Sequence, residues 1–229
     1  MELLNGVRLV PVVEAYTGVL GDEDFGPITE PRWDAYSRFK IVEAGLPAPV
    51  AAHPWLVRAV DLRGPGLTRL VRASLFATGD EDGELLLARI RDPATREQAV
   101  DEVVALPGGL MLETPDGRCL ALPGCCGDIG NLRDWREATL HDDPVPAGLW
   151  IGHPMLTVSG DGPVLTLAGP VDLATEPAPV IARTGRQALA EAVTTAEAEV
   201  ARFAGELRSV CGDMVGAEAA PPMAGALIG

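Results

Sequence analysis

From Leu189 onward the residues Val193, Ala196, Val200, Phe203, Leu207, Val210 and Met214 follow one another at alternating steps of four and three, without a break. Such spacing returns an apolar side chain to one face of an α-helix on every turn, so the pattern predicts one long helix over 185–216, stopped by Gly216. A strict repeat of this kind is also the seam of a coiled coil, and the residues flanking it decide between the two uses. Here they are Glu199, Glu206 and Asp213 on one side, with Ala190, Glu197, Ala204 and Cys211 on the other. Two identical parallel helices would set acid against acid or alanine. The helix is therefore expected to bury its stripe on the chain's own sheet. The alternative is a structural assembly subunit, in which the stripe pairs with a basic helix of another protein.

Upstream the signals are shorter. Residues 7–13 (VRLVPVV) are β-branched and predict a first strand, with Pro11 assigning it to an edge or a bulge. Pro31, an apolar three- and four-residue spacing and Gly45 predict a helix over 31–44, followed by a Pro-rich linker to Pro54. The runs 67–77 (LTRLVRASLFA) and 84–90 (ELLLARI), parted by Thr78-Gly79-Asp80-Glu81-Asp82-Gly83, are expected to form a long-looped hairpin. Asp92-Pro93 opens a short helix over 94–104. Two further hairpins are expected, one around Thr114-Pro115-Asp116-Gly117 and one around Gly160-Asp161-Gly162-Pro163. The expectation is an α+β fold: an antiparallel sheet of successive hairpins covered by helices, with the long C-terminal amphipathic helix. It comprises a domain over 1–184, the helix over 185–216 and a Pro-broken flexible tail over 217–229.

Composition narrows the function classes. The net charge is −15, and the arginines and the single lysine, Lys40, are scattered rather than clustered. A phosphate backbone demands a basic patch, so nucleic acid is excluded as the primary ligand. No apolar run approaches the ~18 residues of a membrane span, and the first residues lack a cationic segment leading into an apolar one. A cytoplasmic protein with no membrane partner is expected. The acidic runs Asp22-Glu23-Asp24, Asp80-Glu81-Asp82 and Asp142-Asp143 either steer a basic protein partner or are solvated turns. Phosphate-loop, dinucleotide, zinc-protease, nucleophile-elbow and EF-hand spacings do not occur, and no cofactor is expected.

The most unusual segment is 122–135 (LPGCCGDIGNLRDW). Glycines at 124, 127 and 130 permit tight backbone, and Asn131 with Asp134 resembles a cap and its reciprocal acid for a helix reaching Leu140. Three readings remain open. Cys125 or Cys126 is a nucleophile, with His141 or His153 as base and Asp128 as orienter. Cys119, Cys125, Cys126 and a histidine hold a metal, although the cysteine gaps of six and one differ from zinc frameworks. Or the segment is a buried structural turn, its small soft side chains packed beneath Trp135. His53-Pro54-Trp55 and Trp150-Ile151-Gly152-His153-Pro154 each place an imidazole near an indole, and Pro biases each histidine toward extended backbone.

The segments 122–138 (LPGCCGDIGNLRDWREA) and 149–154 (LWIGHP) resemble a signature of acidic bacterial cytosolic proteins, some of which are immunity proteins of polymorphic toxin systems. The two segments lie within a span of 33 residues, 122–154. The resemblance implies a non-enzymatic protein-binding module, an immunity-like inhibitor of a basic, toxin-like partner. Asp80, Glu81, Asp82, Asp142, Asp143, Trp150 and His153 are then the partner-binding candidates. The competing expectation is a Cys/His-centred enzyme or metal-binding protein built on Cys125, Cys126, Asp128 and His153.

Overall fold

The computed structural model describes residues 3–15, 30–76, 80–171 and 178–229, with the side chains of 30–32 and of Asp80 and Glu81 outside that description. The acidic run at 22–24 also lies outside the described residues. Eight strands and seven α-helices are described, and the strands form two four-stranded sheets, ordered β2-β1-β3-β4 and β5-β6-β7-β8. The chain is a mixed α+β protein that divides into two compact units. One comprises Met1–Val12 and Pro107–Val200, the other Val13–Leu106 and Ala201–Gly229. Sequence does not mark this division, because it passes through the middle of two continuous elements, β1 (Arg8–Glu14) and the long helix α6 (Arg186–Val215).

In the first unit β3 (Gly108–Glu113) pairs antiparallel with β4 (Cys119–Ala121), in the register Leu112 to Ala121 and Glu113 to Cys119. The Pro-Asp-Gly turn closes through the Gly117 N–H, which donates to the Thr114 carbonyl at 2.9 Å. Glu113 is buried, its side chain 1% exposed, and the Arg8 guanidinium lies 3.1 Å from its carboxylate. Burying that charge is tolerable because it is paired. The second sheet, β5 (Ala147–Leu149), β6 (Met155–Asp161), β7 (Val164–Val171) and β8 (Val180–Gly185), is an antiparallel meander. Leu156, Val158, Leu165, Leu167 and Ala182 are all buried on alternate positions, as one-sided burial requires. Helix α5 (Leu132–Leu140) buries Leu132, Trp135 and Ala138. Arg186 ties these pieces together by donating to the carbonyls of Thr139, at 2.6 Å, and Gly162, at 3.1 and 3.3 Å.

The second unit contains α1 (Glu30–Glu43), β2 (Leu56–Arg58), α2 (Gly64–Leu75), α3 (Asp80–Arg91), α4 (Arg96–Val100) and α7 (Ala220–Ile228). Arg38 on α1 holds the linker by donating to the Val50 and Ala51 carbonyls at 2.8 and 2.9 Å. The hairpin expected over 67–90 is instead the helix pair α2 and α3. Leu67, Leu70, Val71 and Leu75 are buried at helical spacing, and leucine, alanine and arginine favour helix over strand. The acids at 80–82 thus begin a helix, where the dipole favours negative charge, and Arg89 and Arg91 end it.

Two expectations concern the C-terminus. Leu189, Val193, Ala196, Val200, Phe203, Leu207 and Val210 are buried, and Met214, the last of the stripe, is half-buried. Fully burying each of the larger ones contributes about 1.5–3 kcal/mol. The segment 217–229, expected as a flexible tail, folds into α7, with Pro221 and Pro222 in its first turn, where their missing N–H groups cost nothing. Ala220, Met223, Ala224 and Leu227 are buried there, and the Leu106 N–H donates to the Leu227 carbonyl at 2.9 Å.

Candidate metal centre

Two loops of the first unit build the site, 122–131 after β4 and 150–154 after β5. They are joined by backbone. The Gly124 N–H donates to the Ile151 carbonyl at 2.8 Å, the Cys125 N–H to the His153 carbonyl at 3.1 Å, and the His153 N–H to the Cys125 carbonyl at 2.9 Å. This approach is too close for side chains. A Cβ on Gly124 would stand 2.3 Å from the His153 carbonyl oxygen, and one on Gly152, at φ +94°, would stand 2.4 Å from that of Cys125. Cys126 itself is left-handed at φ 62°, an uncommon conformation for a residue with a Cβ.

The consequence is a cluster. One ligand atom each from Cys125, Cys126 and His153 lies within 4.8 Å of the other two, and all three residues are exposed. The His153 ring packs edge to face on Trp150, centroids 4.6 Å apart, while the Asn131 side-chain amide donates to the Trp150 carbonyl at 2.7 Å. The Cys126 thiol is held above its ordinary range by its hydrogen bond with Cys125, by the charge of that neighbour and by slight desolvation. Deprotonated thiolates are soft donors and imidazole is a borderline one, so the trio suits a thiophilic metal ion.

The remaining sequence candidates lie apart from this trio. Asp128 is half-buried, its carboxyl raised by burial against the opposing effect of the Asn131 and Gly130 N–H groups it accepts. It secures the approach to α5 and does not orient His153. Asn131 precedes α5 but makes no side-chain cap, because its amide serves Trp150. Cys119 is half-buried on β4 opposite Glu113, its thiol raised by burial and then by that carboxylate. Cys211 is buried on α6 and pushed up to about 11 by burial. His141 sits at the far end of α5, its Nε2 3.1 Å from the Val145 carbonyl. His53 belongs to the second unit, where its Nδ1 accepts the Trp55 N–H at 3.4 Å. The buried turn expected beneath Trp135 is not what forms, since Trp135 is buried and both thiols face solvent.

The partner-binding candidates fall in both units. Asp142 and Asp143 are exposed in the turn after α5, where the Asp143 carboxylate accepts the Val145 N–H at 2.8 Å. Trp150 meets Asn131 at the start of that helix, and His153 packs on Trp150. Asp82 belongs to the second unit. Sequence reasoning also missed a groove of about 1020 Å³ in that unit, lined by Arg69 and Arg72 of α2, Phe76 just after it, Glu84 of α3, and Glu206 and Asp213 of α6. The three-residue spacing of the two arginines was its only trace in a stretch expected to be a hairpin.

Comparison with known proteins finds no matching family model, no matching curated relative and no matching solved structure.

Proposed function

We propose that this protein is a metal-binding protein that holds one soft, thiophilic ion on Cys125, Cys126 and His153. The observation that carries the reading is the convergence of three soft or borderline donor atoms within 4.8 Å, from residues 28 positions apart in sequence. Backbone hydrogen bonds and obligate glycines hold the two loops together, which lowers the cost of ordering ligands around an ion. Asp128, the orienter in the nucleophile reading, feels the Asn131 and Gly130 N–H groups and is not a member of the three-residue cluster. The test is titration of the reduced, purified full chain with Co²⁺ as a spectroscopic stand-in for Zn²⁺, with bound metal counted by mass. One ion per chain, with thiolate charge-transfer absorption that disappears in the Cys125→Ser/Cys126→Ser variant, is expected. Absence of stoichiometric binding of any thiophilic ion overturns the reading.

A second reading, an inhibitor of a basic protein partner, draws on the loop 140–145. Leu140 is 77% and Val145 66% exposed, and they bracket Asp142 and Asp143. An apolar pair within an acidic turn complements an apolar pocket with a basic rim. Capture of a basic partner by the wild-type chain, lost in Leu140→Asp/Val145→Asp and weakened by salt, is the expected outcome. Equal capture by that variant removes the loop from the interface.

A further inference from the structure

Resting on the metal-binding reading, we infer that the ion selected is monovalent copper, held three-coordinate by two thiolates and one imidazole in an exposed site suited to exchange. Structural zinc sites are closed by four protein ligands and catalytic ones hold three with a water, and Cys125, Cys126 and His153 supply three. The other nearby donors are engaged elsewhere in the first unit. Asp128 accepts the Gly130 and Asn131 N–H groups, Cys119 is half-buried on β4 beside Glu113, and His141 reaches the Val145 carbonyl.

Copper in its lower oxidation state needs no fourth ligand. It is a soft d¹⁰ ion satisfied by two or three soft donors, and thiolates select it. Binding is a ligand exchange without electron transfer: the ion arrives already reduced on a soft carrier, the two thiols release their protons, and the imidazole displaces the carrier's last donor. Exposure of all three ligands leaves one face of the ion open to such a carrier, which a site serving only to brace the fold would not need. Trp150, edge to face with His153, stands beside the ion as a built-in optical reporter.

The experiment uses the whole 229-residue chain, reduced and oxygen-free. Cu⁺ is delivered in competition with a chromophoric Cu⁺ chelator, Zn²⁺ is titrated in parallel, and X-ray absorption is recorded on each loaded form. One Cu⁺ per chain is expected, with a shell of two sulfurs and one nitrogen, retained against an equal concentration of Zn²⁺, and with fluorescence quenching that is lost in Trp150→Phe. Cys125→Ser, Cys126→Ser and His153→Gln each weaken Cu⁺ binding by at least about 100-fold, since losing a ligand exceeds the 10–100-fold typical of outer-shell changes. Cys119→Ser, which leaves the trio intact and tests for a recruited third sulfur, binds as wild type. Zn²⁺ bound in a four-coordinate shell and retained against Cu⁺ overturns the copper assignment and leaves the metal-binding reading standing. A Cu⁺ shell of three sulfurs overturns the role of His153. Failure of both ions to bind overturns the metal-binding reading itself.

Discussion

Cys125 and His153 exchange both backbone hydrogen bonds, at 3.1 and 2.9 Å, as a single antiparallel bridge between two loops that otherwise belong to different elements. The bridge sets the side chains of residues 28 positions apart side by side, and Cys126, turned left-handed, joins them.

Because Gly152 lies at φ +94° with the Cys125 carbonyl 2.4 Å from where a Cβ would stand, Gly152→Ala is expected to break the bridge. Metal binding should fall by at least about 100-fold while the helical signal of the chain is retained, as the damage is confined to two loops. Isothermal titration alongside far-ultraviolet circular dichroism checks both halves of the expectation.

The four thiols differ in access. Cys125 and Cys126 are exposed, Cys119 is half-buried, and Cys211 is buried with its thiol pushed up to about 11. Alkylation followed by peptide mapping should label Cys125 and Cys126 first and Cys119 more slowly, with Cys211 labelled only in denaturant. Bound Cu⁺ should protect the first pair and leave the rate at Cys119 unchanged.

Asp128 offers a direct contrast between a structural acid and a catalytic orienter. Its carboxylate accepts the Gly130 and Asn131 N–H groups ahead of α5. Asp128→Ala should cost about 1 kcal/mol of stability, as the loss of a partly buried hydrogen-bonding side chain does, and leave metal stoichiometry at one. A denaturation midpoint indistinguishable from wild type would remove the structural role.

The His53 ring is held below its ordinary value, first by burial and next by the Arg38 charge, with Asp34 opposing. The unfolded chain therefore takes up this proton more readily than the folded one. The contribution of His53 is intact above about pH 6.5 and is lost as the pH falls from there through the lower folded value. Protonation would also abolish the Nδ1 acceptor used by the Trp55 N–H. His53→Gln should show a shallower loss of urea stability than wild type between about pH 7 and pH 5, the window in which the unfolded histidine titrates.

Removing 217–229 should destabilise the second unit by about 3 kcal/mol or more, because Met223 and Leu227 are fully buried on α7 and large apolar side chains contribute about 1.5–3 kcal/mol each. Thermal denaturation of the truncated chain checks this, and an unchanged melting temperature would mean that α7 is dispensable.

The reading of local structure succeeded where one period dominates. The α6 repeat, the Pro-Asp-Gly hairpin of β3 and β4, and the alternation along β6 and β7 each appear in the expected place. It failed at 67–90, where short runs of leucine, arginine and alanine satisfy both a strand of five or six residues and a helix, and burial of Leu67, Leu70, Val71 and Leu75 on one face decides for the helix. It also failed at 217–229, where a sequence of small residues and two prolines gives weak local preference, and packing against the rest of the second unit supplies the order. At the site, the donors Cys125, Cys126 and His153 were legible as residue types, while the roles of Asp128 and Asn131 were not. Which backbone group a short polar side chain meets depends on the turn, and the spacing of Asn131 and Asp134 matched a cap that does not form.

By itself the sequence determined the periodic elements, the acidic charge and the inventory of soft donors, because these depend on side-chain chemistry and on contacts a few residues apart. Only the tertiary structure decided that Cys125, Cys126 and His153 converge and that Cys119, Asp128 and His141 stand aside. That choice is made by backbone bonds between two loops and by glycines that let them touch, a long-range closure to which no local pattern points.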